Sequence, residues 1–310
     1  MLLHQSSGRW RLGLGLSLLT VFLWGFLAVV LKIVLQVLDA YTVTWFRFLF
    51  AFLCLGIYLA TKQELPKLRQ LGLPFLGLLA IATLCLATNY ILFLLGLEQT
   101  SPNNAQILIQ LAPVLLGFGS LWLFKERYNR QQWVGVTVLI LGMVLFSHEQ
   151  IRTLVTTLDS YLWGNFLLVV AAIAWAVYGL AQKQLLQKLP SASVMLCVYG
   201  GSAILFTPLA TPVRLFAIGP LYMGLLLFCA LNTLIAYGAF AAALEHWDAS
   251  RVSAVLTLTP LVTLGASEAV TLFFPALLAT RTLTITALYG AILVVAGSLA
   301  ISLGSSSRKK

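Results

Sequence analysis

Long apolar runs alternate with short polar breaks along this chain, and the runs hold most of its residues. Bounded by charges, Gly/Pro positions and polar clusters, they fall near 12–36, 42–60, 71–96, 103–124, 131–147, 162–182, 193–213, 220–244, 250–274 and 283–303. A helix rises about 1.5 Å per residue, so about 20 residues cross a hydrocarbon layer of about 30 Å. Ten transmembrane helices are therefore expected. The run 131–147 sits at the lower length limit, and 71–96 is long enough to tilt. The longest polar break, 148–161, divides the ten five and five.

The two halves repeat one another. An offset of 151 lays Trp24 on Trp175, Lys32 on Lys183, Leu35 on Leu186 and Gln36 on Gln187. An offset of 147 lays Tyr90 on Tyr237, Phe93 on Phe240, Leu97 and Glu98 on Leu244 and Glu245, and Pro113 on Pro260. An offset of 155 lays Gly135 on Gly290 and Gly142 on Gly297. Three blocks in the same order with small drift point to a duplication, with halves 1–150 and 151–310.

Composition agrees with a membrane chain: 60% of residues are hydrophobic, 9% are charged and the mean hydropathy is +0.97. Soluble domains carry about 25% charged residues. A retained first helix, not a cleaved leader, is expected, since the first run is too long for a signal peptide and no A-x-A site follows it. The net charge of +10 does not indicate nucleic acid, because the nineteen basic residues are scattered at the ends of apolar runs. With both termini cytoplasmic, only Lys32, Arg47, Arg152, Arg214 and Arg281 of the nineteen fall outside. The 2–3 and 4–5 loops hold Lys62, Lys67, Arg69, Lys125, Arg127 and Arg130, whereas their counterparts in the second half hold only Arg214 and Arg281. A repeat that inverts its charge bias enters the membrane from opposite sides, as in inverted-topology transporters. The expected fold is an all-α integral membrane protein, ten helices in two inverted five-helix repeats.

Several short motifs recur in order: Leu23-Trp24-Gly25, Arg47, Asn89-Tyr90, the run from Gly96 to Pro102, Pro113, Glu126, and Gly135 with Gly142. In these the chain resembles the drug/metabolite transporter superfamily, specifically the EamA-type proteins with two five-helix repeats, over residues 12–303. The resemblance implies a carrier of metabolites such as amino acids, exported across the cell (inner) membrane. One departure is that Phe273 stands where the repeat would place a second Glu126, with an acid earlier, at Glu268.

Candidate chemistry lies inside the spans. An ionisable group at mid-bilayer costs about 2.5–3.5 kcal/mol on insertion scales, so Lys32, Arg47, Arg251 and Glu268 each need a reason. Lys32 and Arg251, near helix ends, can extend to headgroup water. Snorkelling, pairing within the bundle and substrate contact are all open for Arg47. Gln106, Gln110 and Pro113, spaced i, i+4, i+7, share a helix face, and Ser253, Thr257 and Pro260 repeat that spacing. Each proline frees the carbonyl four residues earlier, Ile109 or Leu256, which is tolerated facing a cavity or another helix. These prolines are expected to kink their helices. Trp24, Trp175, Tyr90 and Tyr237 suit a neutral or zwitterionic small molecule, although packing explains any one of them. Asn89 and Asn232 are not repeat equivalents and rank below these. Glu268 lies eleven residues after Thr257, so on an unbroken helix the two share a face. It is expected to gate the outer vestibule, bind a substrate ammonium group or couple protons, or else to reach outer water beside Arg281.

No cofactor and no metal are expected. Cys54, Cys85, Cys197 and Cys229 each stand alone in apolar runs, and His4, His148 and His246 lie outside them without ligand spacing. Nor are the Walker A, G-x-G-x-x-G, G-x-S-x-G or H-E-x-x-H patterns present, which argues against an enzyme or an ATP-driven pump. The sequence thus predicts a secondary transporter or facilitator working by alternating access in the lipid bilayer, with its oligomeric state open. The alternatives are an exchanger of phosphorylated metabolites or sugar nucleotides, which would need a basic cluster, and a membrane enzyme or assembly factor without transport.

Overall fold

A computed structural model describes residues 7–66, 72–125, 128–146, 148, 160–275, 277 and 284–303. Among them all regular structure is helical. In the first half α1 spans Trp10–Val34, α2 Ala40–Thr61, α3 Leu73–Gln99, α4 Pro102–Leu108, α5 Leu111–Leu123 and α6 Arg130–Phe146. In the second, α7 spans Ser160–Leu185, α8 Ser191–Phe206, α9 Pro220–His246, α10 Ala249–Leu256, α11 Thr259–Phe273 and α12 Ile285–Leu303.

Local chemistry sets these ends. The Asp39 carboxylate accepts from the Thr42 N–H at 2.8 Å and its hydroxyl at 2.9 Å, closing the open donors of α2. Proline sits in the first turn of α3, α4 and α9, where its missing N–H has no helical partner to lose. The seventh run, expected to reach 213, is helical only to Phe206. Pro208 cannot continue it, and Pro212 opens a short 3-10 turn over Pro212–Phe216.

Seven stretches are long and apolar enough to cross a membrane: Trp10–Val34, Ala40–Thr61, Leu73–Gln99, Pro102–Leu123, Leu162–Leu185, Pro220–His246 and Ala249–Phe273. Arg130–Leu145, Ser191–Phe206 and Leu288–Ile301 are shorter apolar helices. Large apolar side chains point outward, Trp122 at 83% and Phe216 at 91% exposed, while Thr20, Thr44, Ser120 and Gln182 are wholly buried. That surface is costly in water and neutral in lipid, where small and polar residues take the helix contacts instead.

The closest packing follows the glycines. A Cβ on Gly297 of α12 would lie 2.5 Å from the Leu139 nitrogen and 2.7 Å from the Gly135 carbonyl on α6; one on Gly142 would lie 2.9 Å from the Gly290 carbonyl. Only hydrogen fits at these positions. α1 packs along α9 and α3 along α7. There a Cβ on Gly13 would strike Trp247, and one on Gly164 would strike Gln99 and Thr100.

The two proline-bearing runs are each broken, not merely kinked. α4 ends at Leu108 and α5 begins at Leu111; α10 ends at Leu256 and α11 begins at Thr259. The Ile109 carbonyl, deprived of a donor by Pro113, accepts from the Ala112 N–H at 2.9 Å. Its counterpart at Leu256, freed by Pro260, accepts from the Thr259 hydroxyl at 2.6 Å.

Candidate functional site

Between the helices lies a cavity of about 630 Å³, counted to its open mouth, with walls from both halves of the sequence. Trp24, Tyr90, Gln106, Gln110, Pro113, Trp175 and Tyr237 all line it, and so do Arg47 and Asn89. Its aromatic wall is continuous. The Trp24 ring stands 5.7 Å from Trp175 and 4.8 Å from Tyr237, and Tyr90 stands 5.3 Å from Tyr237. Phe240 joins Trp24 and Trp175 from α9.

The cavity extends from these rings toward the end of the bundle where α1 finishes, since α1 supplies Trp24, Leu27, Ala28 and Leu31 in turn. Toward the other end the Gly13–Trp247 contact closes α1 on α9, with the Thr20 hydroxyl donating to the Ala236 carbonyl at 3.3 Å.

Three polar atoms of lining residues have no hydrogen-bond partner among the described residues, Trp24 Nε1, the Tyr90 hydroxyl oxygen and Gln110 Oε1. A buried polar group without a partner costs stability, so such atoms mark places where a ligand or water completes the bonding. Gln106, Gln110 and Pro113 remain together on the cavity wall across the break between α4 and α5.

The second stripe lands elsewhere. Ser253 and Thr257 line an adjoining recess with Pro113, Gly117 and Tyr128, and Thr257 with Pro260 lines a smaller one beside Gln110. The Ser253 hydroxyl donates back to the Ser250 carbonyl and that of Thr257 to the Ala254 carbonyl. Glu268 is half-buried on α11 and lines none of these three cavities. The face it was expected to share with Thr257 presumes an unbroken helix, and the break at 257–258 interrupts that register. Its Oε1 is buried without a hydrogen-bond partner among the described residues. Arg281, its proposed partner, and Glu126 lie outside the described residues.

Three other ionisable residues of the spans have defined surroundings. The Lys32 ammonium donates to the carbonyls of Leu97, Glu98 and Thr100 at 2.8, 3.1 and 2.7 Å, capping the end of α3. Arg251 pairs with Asp248 at 3.6 Å on its own helix turn. Arg47, left undecided by the sequence, is 2% exposed and lines the cavity. The lower-ranked asparagines are tethers between helices. Asn89 Nδ2 donates to the Ala171 carbonyl at 3.0 Å, joining α3 to α7, and Asn232 Nδ2 to the Leu23 carbonyl at 2.6 Å, joining α9 to α1. No sequence signal separates such a tether from a ligand contact, since both need a buried amide.

The EamA-like transporter family matches the chain twice, at residues 11–148 and 162–303. The chain is 39% identical over 303 residues to the uncharacterized inner membrane transporter YhbE of Escherichia coli, spanning 97% of this chain and 94% of that one. It is 36% identical to an uncharacterized transporter of Haemophilus influenzae over 94% of this chain and 95% of the other. A probable amino-acid metabolite efflux pump of Salmonella typhimurium shares 24% identity, with 91% and 92% of the chains covered. One solved structure superposes with a TM-score of 0.68 at 16% identity, covering 96% of this chain and 99% of its own, a likeness of fold alone.

Proposed function

Because the chain belongs to the EamA-like transporter family, we propose that it carries a small neutral or zwitterionic metabolite across the inner membrane, most simply an amino acid or a related compound leaving the cell. The observation that carries this reading is the aromatic and amide-lined cavity walled by both halves of the chain. The name of the Salmonella relative points the same way on substrate.

The mechanism proposed is alternating access by two inverted five-helix repeats, 1–150 and 151–310, ten spans in all once the three shorter helices are counted with the seven long stretches. Contacts exchanged between the halves support it. Gly13 abuts Trp247 while Gly164 abuts Thr100, and the two contacts are related by the offsets of 151 and 147. Trp24 touches its own equivalent Trp175, as Tyr90 touches Tyr237, which is how residues near a two-fold axis between repeats meet. The breaks at 109–110 and 257–258 also fall at nearly equivalent places. With cytoplasmic termini, the cavity described above would lie on the outer side of the Gly13–Trp247 contact, and that contact would be the inner seal. Trp24, Tyr90, Trp175 and Tyr237 would surround the substrate with Gln106 and Gln110, Ser253 and Thr257 would line the path beside it, and Pro113 and Pro260 would supply the hinges. Glu268 would act on the gate above the site.

Counterflow in proteoliposomes with amino acids, sugars and phosphate esters tests the substrate class. Amino acids are expected to exchange; exchange of phosphate esters alone would establish the rival carrier of phosphorylated compounds. For topology, a Ser160→Cys variant is expected to react with impermeant reagents from outside and a Ser307→Cys variant only from inside.

A further inference from the structure

The cavity holds one charged side chain among its lining residues, and it is a cation without an anion. Arg47 is 2% exposed, in a helix long and apolar enough to cross the membrane, and no described carboxylate pairs with it. Two contacts hold it. Its Nε donates to the Thr233 hydroxyl at 2.9 Å, and its guanidinium carbon lies 4.5 Å from the centre of the Tyr90 ring. The Thr233 hydroxyl proton is already committed to the Cys229 carbonyl at 3.0 Å, so this oxygen can only accept from Arg47. One edge of the guanidinium and one face are thereby used. The remaining edge, the pair of terminal nitrogens, makes no hydrogen bond to a described residue. An aromatic face and one neutral acceptor return only part of what a buried cation loses by leaving water. A charge in so dry a place therefore calls for an anion from outside the chain.

We propose that the terminal nitrogens of Arg47 bind the carboxylate of the transported metabolite, with Thr233 as the residue that positions them. This rests on the reading of the cavity as the transport site. A guanidinium fork matches a carboxylate in two parallel hydrogen bonds, and one positive charge balances one carboxylate. A phosphate dianion would keep a surplus negative charge, because Arg47 has no second cation beside it in the lining. The rest of the ligand then meets aromatic rings and the free acceptor Gln110 Oε1, which suits a donor group such as an ammonium.

Counterflow with the purified full-length protein decides the matter, using α-amino acids, the matching α-hydroxy acids, and the methyl ester and decarboxylated amine of each carried compound. Wild-type protein is expected to carry acids and to prefer them over their esters and amines by about tenfold or more, the loss typical of an abolished charge-assisted pair. Exchange of amino acids but not hydroxy acids assigns the ammonium a share in recognition; exchange of both assigns recognition to the carboxylate alone. Arg47→Gln should lose carriage and the preference together, and Arg47→Lys should restore part of each. Thr233→Val should raise the KM for acids more than it lowers the maximal rate, and Thr233→Ser should behave as wild type. Esters or amines carried as well as their acids by wild-type protein would overturn the proposal while leaving transport standing, as would an acid preference that survives Arg47→Gln. Failure to carry any compound of the set would overturn both. If Arg47→Gln does not elute as a folded species, the ester comparison and the Thr233 pair decide by themselves.

Discussion

Trp24 and Trp175 meet edge to face, ring centroids 5.7 Å apart and planes inclined at 80°, although 150 residues of chain separate them. They sit at equivalent places in the two halves, and the contact brings α1 and α7 together at the floor of the cavity. Aromatic pairs favour this geometry, ring edge against ring face, and it leaves the Trp24 N–H free on the cavity wall. Interactions available to a ligand therefore gather at the level where the halves meet.

Gln110 and Thr257 occupy related positions, yet the structure separates their expected roles. Gln110 Oε1 is free on the cavity wall, whereas the Thr257 hydroxyl is bonded to the Ala254 carbonyl at 2.6 Å in an adjoining recess. Gln110→Ala should slow counterflow about two- to tenfold, the worth of one hydrogen bond. Thr257→Ala should have the smaller effect. Transport rates normalised to folded protein check this, and equal losses would place Thr257 in the site.

Glu268→Gln keeps the shape of the side chain and removes its charge. If Glu268 gates or couples transport, the variant should alter the rate or the pH dependence of counterflow with its elution profile unchanged. Identical rates across a pH series would remove it from the mechanism.

Gly297→Leu should destabilise the α6–α12 contact, because even its Cβ would sit 2.7 Å from the Gly135 carbonyl. Overpacking typically costs about 1–3 kcal/mol, and backbone against backbone has little room to relax. Thermal unfolding in detergent should show a lowered transition, while Gly224→Ala, where a Cβ meets nothing within 4 Å, should leave it in place.

Asp39 provides a pH-dependent contribution to stability. Burial alone would raise its carboxyl, but hydrogen bonds from the Thr42 N–H and hydroxyl and from the Thr211 hydroxyl outweigh burial and hold it below the ordinary carboxylate value. A value lowered by folding favours the folded state at neutral pH, and that contribution is lost as pH falls through the folded-state value. Asp39→Asn retains a capping side chain but not the charge facing Arg214 at 3.4 Å. Its melting temperature should lie below that of wild type at pH 7, and the gap should close below about pH 4. A gap that stays constant with pH would mean that the charge of Asp39 contributes nothing.

Run lengths, the two-fold recurrence of Trp24, Tyr90, Pro113 and Gly135 in the second half, and the order of motifs were all legible in the one-dimensional chain. Apolar length and repeat spacing are properties of neighbours along the sequence, and a bilayer demands the same helix length of every span. The cavity aromatics were legible for the same reason, since equivalent residues in a duplicated chain tend to meet. What only the tertiary structure decided depends on partners far away in sequence. Whether Lys32 meets water or the carbonyls ending α3, whether Asn89 faces a ligand or ties α3 to α7, and whether Thr257 opens on the main cavity are set by helix rotation and by the breaks at 109–110 and 257–258. The same holds for Arg47: its charge is written in the sequence, but that its guanidinium lines a cavity with no described carboxylate beside it is settled by the packing of α2 against α8 and α9.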